Sequence, residues 1–446
     1  MAIATIGDVV AIKGENRAIV QFGLNLIKNT DNMGLRALME ISGINPETIT
    51  SSQVAFGIVP RINAAGRMGK TQVAINLLLS ESETEANQYA DELNKLNVMR
   101  QQAELDILEN IQISKEDLYN RLLVLQGDDW NAGVIGIVCS RLVEKYGKPT
   151  FILSGSDELT GSCRSVGGFH IFNALSYCAK YLKKYGGHKA AGGFSLERSD
   201  FKRFKNALET YAYENFDIMP CPYIKVDKII TLKELTIDNV KSLELLQPFG
   251  CENEEPLFLL ENATIEKIVP LSAGKHIKLM LKQAELSVQA LYFNMTAENL
   301  PAVFGDRVDV LFNASINEYN GEKSVCLKIK DIRKSSFNQD KFFAAKAYFE
   351  KIIRQEEISQ NIIKASIPTR EEIAVCYRFL LKGFSGSDEI LYQKLLDSNI
   401  NFCKLKIIIE VLTEMELIND DFSVIKTDKK VDLQQSKLLV RLRELI

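Results

Sequence analysis

The sequence lacks the features that mark secreted, membrane-spanning or strongly basic proteins. Its 54 Lys and Arg residues face 58 Asp and Glu residues, so the net charge is −4, and a basic balance that would by itself indicate nucleic-acid binding is absent. No apolar run approaches the length of a membrane span. Residues 1–17 have no basic segment followed by an apolar run, so a signal peptide is not predicted. Any site for a polyanion must therefore be a local patch on a mildly acidic protein.

Paired cysteines are also absent. The eight cysteines form no Cys-x-x-Cys motif and have no histidine at ligand spacing, which disfavours structural zinc and a secreted disulfide framework. Reduced thiols in the cytoplasm fit this pattern best. The 446 residues are 46% apolar and 25% charged, an ordinary globular composition with room for about three domains.

The first half of the chain predicts helices and a layered α/β domain. Residues 3–10 predict a short buried strand with Asp8 near its end. Residues 72–113 have a mostly helical period and predict a long connecting helix, broken near 80–84. Strand and helix patterns then alternate over residues 122–212, which is typical of a layered α/β domain.

The second half predicts a barrel and a helical end. Pro220 and Pro222 mark a linker, and residues 223–335 contain five or six strand patterns, which suit a small barrel. The remainder, 340–446, is mostly helical with a short hairpin-like section at 422–434. Residues 404–420 followed by a strand pattern resemble a winged-helix core.

Two short arginine motifs suit phosphate binding. Arg61 and Arg67 flank a small-residue turn that contains Asn63, and guanidinium groups bind phosphate in a bidentate manner. A helix-start turn with two surface arginines is the alternative, and it is favoured for this motif alone. A strand end with Ser162, Arg164 and Ser165 offers hydroxyls beside a cation, a reasonable cradle for a phosphodiester. A Gly/Ser-rich turn is again the simpler alternative.

The segment 185–194 is the sharpest local signal. Four glycines and two alanines surround His188, so the segment has little to pack into a core. Glycines such as Gly186 and Gly187 permit positive φ and expose backbone N–H groups to an anion, while His188 can donate to it. A flexible loop explains the glycines less well, because a strand pattern follows directly. This segment therefore predicts an anion-binding function.

Asp8 is the weakest of the candidates. A carboxylate at the carboxyl end of a strand is where α/β folds place metals and ligands. A single aspartate is more often an N-cap or turn residue, and that alternative is favoured without further context.

Taken in order, these motifs resemble the RecJ branch of the DHH phosphoesterase superfamily over about residues 1–335. The matching segments are ATIGDVV, IVPRINAAGRMG, LNKLNVMRQQAE, DDWNAGVIGIVCSRLVEKYGKPT, GSCRSVGGFHI, GGHKAAGGFSL and LLQPFGCENEEPLF. The resemblance implies an α/β fold with an all-β oligonucleotide-binding (OB) barrel and a helical, winged-helix-like C-terminal domain. The implied domains are a remnant of the DHH catalytic domain (1–70), a connecting helix (71–118), a DHH-associated α/β phosphate-binding domain (119–215), the barrel (221–335) and the C-terminal domain (340–446).

The implied function is a 5′-to-3′ exonuclease specific for single-stranded DNA, acting in DNA repair and recombination. Two divalent ions, Mn²⁺ or Mg²⁺, would activate water and hold the scissile phosphate. Asp8 matches a catalytic metal ligand. Arg61, Asn63 and Arg67 match the motif around the substrate path, and the groups that hold substrate phosphates match Ser162, Arg164, Ser165, Gly186, Gly187 and His188.

The resemblance also implies partners. The barrel would bind the single strand with stacked aromatics, although aromatics in a barrel are more often core residues. The candidates are Phe249, Phe258, Tyr292, Phe293 and Phe312. A RecQ-like helicase or a single-strand-binding protein is a family-level expectation.

The family's defining Asp-x-Asp and Asp-His-His motifs are not in this sequence, whose only histidines are His170, His188 and His276. We therefore expect an N-terminally truncated or split exonuclease that has no nuclease activity by itself. One alternative is a non-catalytic module that binds single-stranded DNA or docks a partner. Another is a phosphodiesterase for short oligonucleotides or cyclic dinucleotides, which the barrel at 225–334 disfavours.

Overall fold

The computed structural model of the chain describes residues 1–426 and 431–446, which form two units. The first unit consists of Met1–Ile224 and Leu246–Glu255, and the second of Lys225–Leu245 and Pro256–Ile446. The first 110 residues of the first unit are helical. Their helices are α1 (Ala2–Gly7), α2 (Gly14–Lys28), α3 (Met33–Ile41), α4 (Ser51–Gln53), α5 (Val59–Arg67), α6 (Thr71–Leu79) and α7 (Glu83–Asn110), with a π-helical turn at Val54–Ile58.

The strand predicted over residues 3–10 is wrong. The chain forms α1 there, and Ala2 and Ile6 are the residues that it buries. Residues four apart lie on one face of a helix, whereas a strand would also place Ala4 on the face of Ala2 and Ile6, and Ala4 is exposed. The prediction for residues 72–113 is confirmed, because α6 and α7 cover this stretch and are separated near Ser80, with Ser82 capping α7.

A five-stranded sheet covered on both faces follows these helices, which confirms the layered α/β prediction. The sheet order is β1-β2-β3-β5-β4, with β1 and β2 parallel and the other pairs antiparallel. The strands are β1 (Leu123–Gly127), β2 (Thr150–Ser154), β3 (Glu158–Arg164), β4 (Lys184–Gly187) and β5 (Ala191–Glu197), and the helices are α8 (Lys115–Tyr119), α9 (Ile135–Tyr146), α10 (Ile171–Tyr177) and α11 (Phe201–Asn215). One core packs α9 and the end of α7 on one face, and a second packs α10 and α11 on the other.

A ten-residue segment that we name the clasp, Leu246–Glu255, belongs to the first unit although its flanking residues belong to the second. The backbone N–H of Ile12 donates to the carbonyl of Cys251 at 2.8 Å, and the hydroxyl of Ser51 donates to the carbonyl of Phe249 at 2.5 Å. These two bonds satisfy the backbone carbonyls of Phe249 and Cys251, which lie on either side of Gly250. The clasp is therefore bound specifically to the N-terminal helices.

We expect Gly250→Ala to loosen the clasp. A Cβ at Gly250 would lie 2.3 Å from Cδ1 of Ile12, a side chain that is fully buried and cannot turn into solvent. Overpacking of this kind costs about 1–3 kcal/mol, which urea unfolding would measure. Gly66→Ala in α5 is the control, because its Cβ meets no atom within 4 Å. It should be neutral or stabilising by about 0.5–1 kcal/mol. Equal stability of the two variants would contradict the prediction.

The second unit begins with a closed barrel, which confirms the predicted OB fold. Strands β7, β8, β9, β11 and β10 pair in that order, and β10 pairs with β7 to close the barrel, while β6 adds to β7 in parallel. The elements are β6 (Lys228–Ile230), α12 (Ile237–Ser242), β7 (Phe258–Leu271), β8 (His276–Gln283), β9 (Leu286–Tyr292), β10 (Arg307–Tyr319) and β11 (Glu322–Lys334). Alternate residues of these strands fill the barrel interior.

The rest of the second unit is helical, as predicted. Its helices are α13 (Gln339–Arg354), α14 (Gln360–Ser366), α15 (Arg370–Leu380), α16 (Asp388–Lys394), α17 (Phe402–Glu414) and α18 (Lys437–Glu444). The predicted hairpin-like section at 422–434 lies partly outside the described residues, and the winged-helix interpretation stays a prediction. Within the described part of the chain, no helix combines the length and the apolar character needed to cross a membrane.

Candidate nucleic-acid interface

The side chains of Ser162 and Arg164 lie together on the α9 face of the sheet. Alternate residues of a strand share a face, and Cys163 between them belongs to the opposite core. Arg164 Nη1 donates to Ser162 Oγ at 3.3 Å and to the carbonyl of Cys163 at 2.8 Å. We call Ser162 and Arg164 the cradle. These bonds hold the guanidinium in one orientation beside a hydroxyl, as the sequence predicts.

The first turn of α9 approaches the cradle closely at Gly136. A Cβ at this position would lie 2.9 Å from Ser162 Oγ and 3.2 Å from Arg164 Nη2. Any larger residue would therefore push the helix or the arginine out of place. The glycine lets the first turn of α9 sit against the cradle.

Arg67 is the second predicted cation near the cradle. Its Nη1 donates to the carbonyl of Gly133 at 2.9 Å, in the loop that leads into α9. The pKa of Arg67 is lowered, first by partial desolvation and then by the positive charges of Arg100 and Arg164, whereas Glu104 opposes the shift. The charges of Arg67, Arg100 and Arg164 are close enough to interact, so these arginines form one positive cluster. The structure therefore brings Arg67 and Arg164 together.

Sequence reasoning missed three charged residues beside this cluster. In α7, Arg100 Nη1 donates to Glu104 Oε2 at 2.7 Å, and Arg141 Nε of α9 donates to Glu104 Oε1 at 3.1 Å. The bond with Glu104 raises the pKa of Arg141. The sequence could have indicated the pair of Arg100 and Glu104, because residues four apart in the connecting helix lie on one face.

The segment around His188 is a β-hairpin, not a loop. It contains β4 and β5, and the N–H of His188 donates to the carbonyl of Ala191 at 2.8 Å across the turn. His188 is exposed, and its Nδ1 accepts from the N–H of Ala190 at 3.3 Å, which leaves Nε2 as the hydrogen-bond donor in the neutral ring. Arg164 pairs with Ala191 in the neighbouring strand. His188 and Arg164 therefore lie at the same end of the sheet.

Two glycines leave the surface beside the cradle without side chains. Ser162 pairs with Gly193, and Gly193 pairs with Gly186, so the three residues form a row across β3, β5 and β4. A Cβ at Gly186 would meet no atom within 4 Å, and one at Gly193 would meet only the carbonyl oxygen of Gly161 at 3.8 Å. We call Gly186 and Gly193 the glycine face. Because packing does not require these glycines, the face is open to a ligand.

The predicted positive φ holds for only part of this segment. Gly187 has φ of 152°, whereas Gly186 lies in an ordinary strand conformation. The hydroxyl of Ser165 bonds to the carbonyls of Val166 and Phe169 at 2.8 and 2.6 Å, so it supports the turn after β3. Gly186 thus leaves the surface beside the cradle open, and Ser165 stabilises the turn after β3.

Three other predicted site residues, Arg61, Asn63 and Asp8, lie in the N-terminal helical part of the first unit. Arg61 Nε donates to Asn94 Oδ1 at 3.0 Å and its Nη1 to the carbonyl of Gly57 at 2.6 Å, which ties it to α7 and to its own helix. Desolvation lowers the pKa of Arg61. Asn63 is exposed on α5, and Asp8 is exposed directly after α1. The guanidinium of Arg61 is thus directed to α7 and to its own helix.

The side chains present do not fit a two-metal centre. Within residues 1–426 and 431–446, no three His, Cys, Asp or Glu side chains are grouped so that they could hold a metal ion. Two-metal sites need several carboxylates and histidines. Asp8 follows a helix and not a strand, so the position expected for a ligand at a sheet edge does not exist there.

Most of the predicted stacking aromatics are not available to a base. Phe312 is fully buried in the barrel core, and Phe258 and Tyr292 pack against that core. Burial raises the pKa of Tyr292. Phe249 lies in the clasp of the first unit. Phe258, Tyr292 and Phe312 thus follow the core alternative, because strand alternation directs barrel side chains inward.

Exposed aromatics of the second unit lie in loops and at a hairpin tip. Phe293 is 51% exposed and its ring lies 5.4 Å from that of His276. Tyr319, next to the β10–β11 turn, is 74% exposed, and Phe304 is 73% exposed. The prediction included Phe293 but missed Tyr319 and Phe304. The sequence could have indicated that both are exposed, because Tyr319 precedes the Asn320-Gly321 turn and Phe304 precedes Gly305.

Comparisons with known proteins agree with this architecture. A family model described as the DHHA1 domain matches residues 119–214, and one described as the RecJ OB domain matches residues 226–331. The single-stranded-DNA-specific exonuclease RecJ of Bacillus subtilis is 32% identical over 341 residues, which are 74% of this chain and 43% of that protein.

Crystal structures of RecJ from Thermus thermophilus, in complex with Mg²⁺ and with Mn²⁺, are also similar. Their TM-scores are 0.66 and 0.67 at 34% and 33% identity, and the matches cover 75% of this chain and 51% and 49% of theirs. The chain thus spans about half the length of these relatives.

The fold and the interface define a protein that joins a DHHA1 domain to an OB barrel. Along about three quarters of its length, this chain is similar to the RecJ exonucleases, which confirms the resemblance found in its motifs.

Proposed function

We propose that this chain is the substrate-binding portion of a RecJ-type 5′-to-3′ exonuclease for single-stranded DNA. The cradle and Arg67 bind backbone phosphates, and the exposed His188 adds a donor at the same end of the sheet. Phosphate contacts of this kind position a strand without reading its sequence. The open glycine face beside Ser162 is the observation that carries the proposal, because a polynucleotide needs an unobstructed surface next to its phosphate-binding cation.

The barrel supplies the second binding element in this proposal. Exposed aromatics such as Phe293 and Tyr319 offer surfaces on which bases stack, and basic residues such as Lys275 and Lys323 attract the backbone. Stacking tolerates any base, which suits an enzyme without sequence preference. We infer that each unit has its own contacts with single-stranded DNA.

The metal site of the exonuclease comes, in this proposal, from residues outside this sequence. Relatives crystallised with Mg²⁺ or Mn²⁺ support the use of divalent ions in the family. Asp8 and the other described carboxylates do not assemble such a site. The chain alone therefore binds DNA without cutting it.

The cellular setting follows from the same proposal. A role in DNA repair and recombination, with a RecQ-like helicase or a single-strand-binding protein as partner, rests on the family. All eight cysteines lie in the described part of the chain and none is in a disulfide, which supports a cytoplasmic location.

A non-catalytic module that binds single-stranded DNA or docks a partner is the second candidate. It is favoured by the lack of a metal-ligand group among the described residues. The two candidates make the same prediction for binding and differ only in whether an added catalytic segment restores cleavage.

A size series at Gly186 tests the proposed path of the strand. Gly186→Ala and Gly186→Leu should both fold, because Gly186 is exposed, a Cβ there meets no atom within 4 Å, and no positive φ is involved. We expect Ala to weaken binding of an oligo-dT strand slightly and Leu to weaken it about 10-fold or more, the equivalent of one lost phosphate contact of about 1.4 kcal/mol. Fluorescence anisotropy measures the affinity.

Thermal unfolding provides the control for this series. Gly192→Ala, on the adjacent strand, should lower the unfolding temperature, since its Cβ would lie 2.9 Å from Ile171 and 3.0 Å from Leu175. The two Gly186 variants should unfold like the parent chain. Unchanged binding by Gly186→Leu would exclude the glycine face as the strand's path.

A further inference from the structure

Glu104 is the buried link between the connecting helix α7 and helix α9. It is 7% exposed, and its two carboxylate oxygens accept from Arg100 on its own helix at 2.7 Å and from Arg141 on α9 at 3.1 Å. Arg100 also donates to Asn97 Oδ1 at 3.0 Å. A carboxylate that is buried and satisfied by two guanidinium groups has one orientation, and breaking such a pair is costly.

Helix α9 has a second polar tie to the helical segment, from Arg67 to the carbonyl of Gly133. The two ties lie on either side of Gly136, the residue whose backbone lies against Ser162 and Arg164. The distance between Gly136 and the cradle therefore depends on the position of α9, which its contacts with Glu104 and Arg67 fix. A small shift of α9 would change the space around the guanidinium of Arg164.

We propose that Glu104 is a positioning residue for the phosphate-binding cradle. Through Arg141 it fixes α9 on the connecting helix, and through α9 it holds Gly136 against Ser162 and Arg164. The inference rests on the proposed function for the identity of the ligand, a nucleic-acid phosphate. Its structural part, the coupling of α7 to the cradle through α9, is independent of that ligand.

Two possible roles of Glu104 predict opposite changes in DNA affinity when its negative charge is removed. Glu104 bonds to Arg100 and lies within electrostatic reach of Arg67, and the positive charges of these arginines attract a polyanion. If the carboxylate were only a negative neighbour, its neutralisation would tighten DNA binding. If it positions the cradle, neutralisation releases Arg141 and α9, and binding becomes weaker despite the gain of positive charge.

The experiment compares Glu104→Gln with Glu144→Gln in the full chain. Glu144 is the matched control because it lies 3.7 Å from the same Arg141 but is exposed. We expect Glu104→Gln to weaken oligo-dT binding about 10-fold, as for a lost charge-assisted contact, and Glu144→Gln to bind as tightly as the parent or slightly more tightly. Equal or tighter binding by Glu104→Gln would overturn the proposal.

Hydrogen exchange separates this inference from the proposed function. Amides of residues 133–140 should exchange faster in Glu104→Gln than in Glu144→Gln, without DNA present. If Arg164→Ala binds DNA normally while exchange responds as expected, the proposed function fails and the coupling stands. If Glu104→Gln does not fold, Arg141→Gln breaks the same tie from the exposed side of α9, and unchanged exchange and binding in that variant would refute the coupling.

Discussion

A single-stranded oligonucleotide incubated with the purified chain and Mn²⁺ should remain intact. Metal-dependent phosphodiester hydrolysis relies on bound ions to generate the nucleophile and to stabilise the leaving oxygen. The sequence contains three histidines, and the described residues hold no group of three side chains able to bind a metal ion. We therefore expect loss of essentially the whole catalytic rate enhancement, many powers of ten, measured as nucleotide release from labelled DNA.

Addition of a second polypeptide separates the two proposed functions. A segment that carries the Asp-x-Asp and Asp-His-His motifs, supplied in trans, should restore release from the 5′ end if the chain is part of a split exonuclease. The segment alone and the segment with an Asp-His-His variant are the controls. No restoration would favour the non-catalytic binding module, and degradation by the chain alone would show that our interpretation of its metal ligands is wrong.

The second large effect is expected for Arg164→Ala, which removes the cation of the cradle. Charge-assisted contacts contribute about 1.5–3 kcal/mol, so affinity for oligo-dT should fall about 10- to 100-fold. Loss of one phosphate contact should also reduce the slope of log affinity against log salt by about 0.7. Arg164→Lys should retain the salt slope and bind with intermediate affinity, because lysine keeps the charge but not the planar guanidinium that Ser162 accepts from.

Arg203→Ala is the matched control for Arg164→Ala. Arg203 is an exposed arginine of α11, which packs on the opposite face of the sheet from α9, and its guanidinium lies 3.3 Å from Asp200. Its loss should leave both the affinity and the salt slope nearly unchanged. Equal effects at Arg164 and Arg203 would mean that the DNA responds only to overall charge and that the cradle has no special role.

The two arginines of the 61–67 motif show what sequence reasoning could not separate. The segment predicted to be a turn is helix α5, and both arginines lie in it. Nothing local in the sequence distinguishes the two residues. The structure directs Arg67 to the loop before α9 and to the charge of Arg164, whereas Arg61 is held by Asn94. The difference arises from partners that are remote in sequence, because Asn94 belongs to α7 and Gly133 to the loop before α9.

Asp8 shows a different failure. Its predicted role depended on a strand, and the segment Ala2–Gly7 is apolar enough to suit either a strand or a helix. Short apolar segments are ambiguous by periodicity alone. The packing of Ala2 against Gly23 of α2, where a Cβ would come within 2.2 Å, shows the close contact that the helix makes.

By itself the sequence determined the α/β pattern of residues 122–212, the barrel, the strand end with Ser162 and Arg164, and the glycine-rich segment with His188. These properties are local, because periodicity and turn residues act over a few positions. Only the tertiary structure decided which charged groups meet. The link from Glu104 to Arg141, the approach of Gly136 to the cradle and the open surface at Gly186 each depend on elements brought together across many residues, and no local pattern encodes such distances.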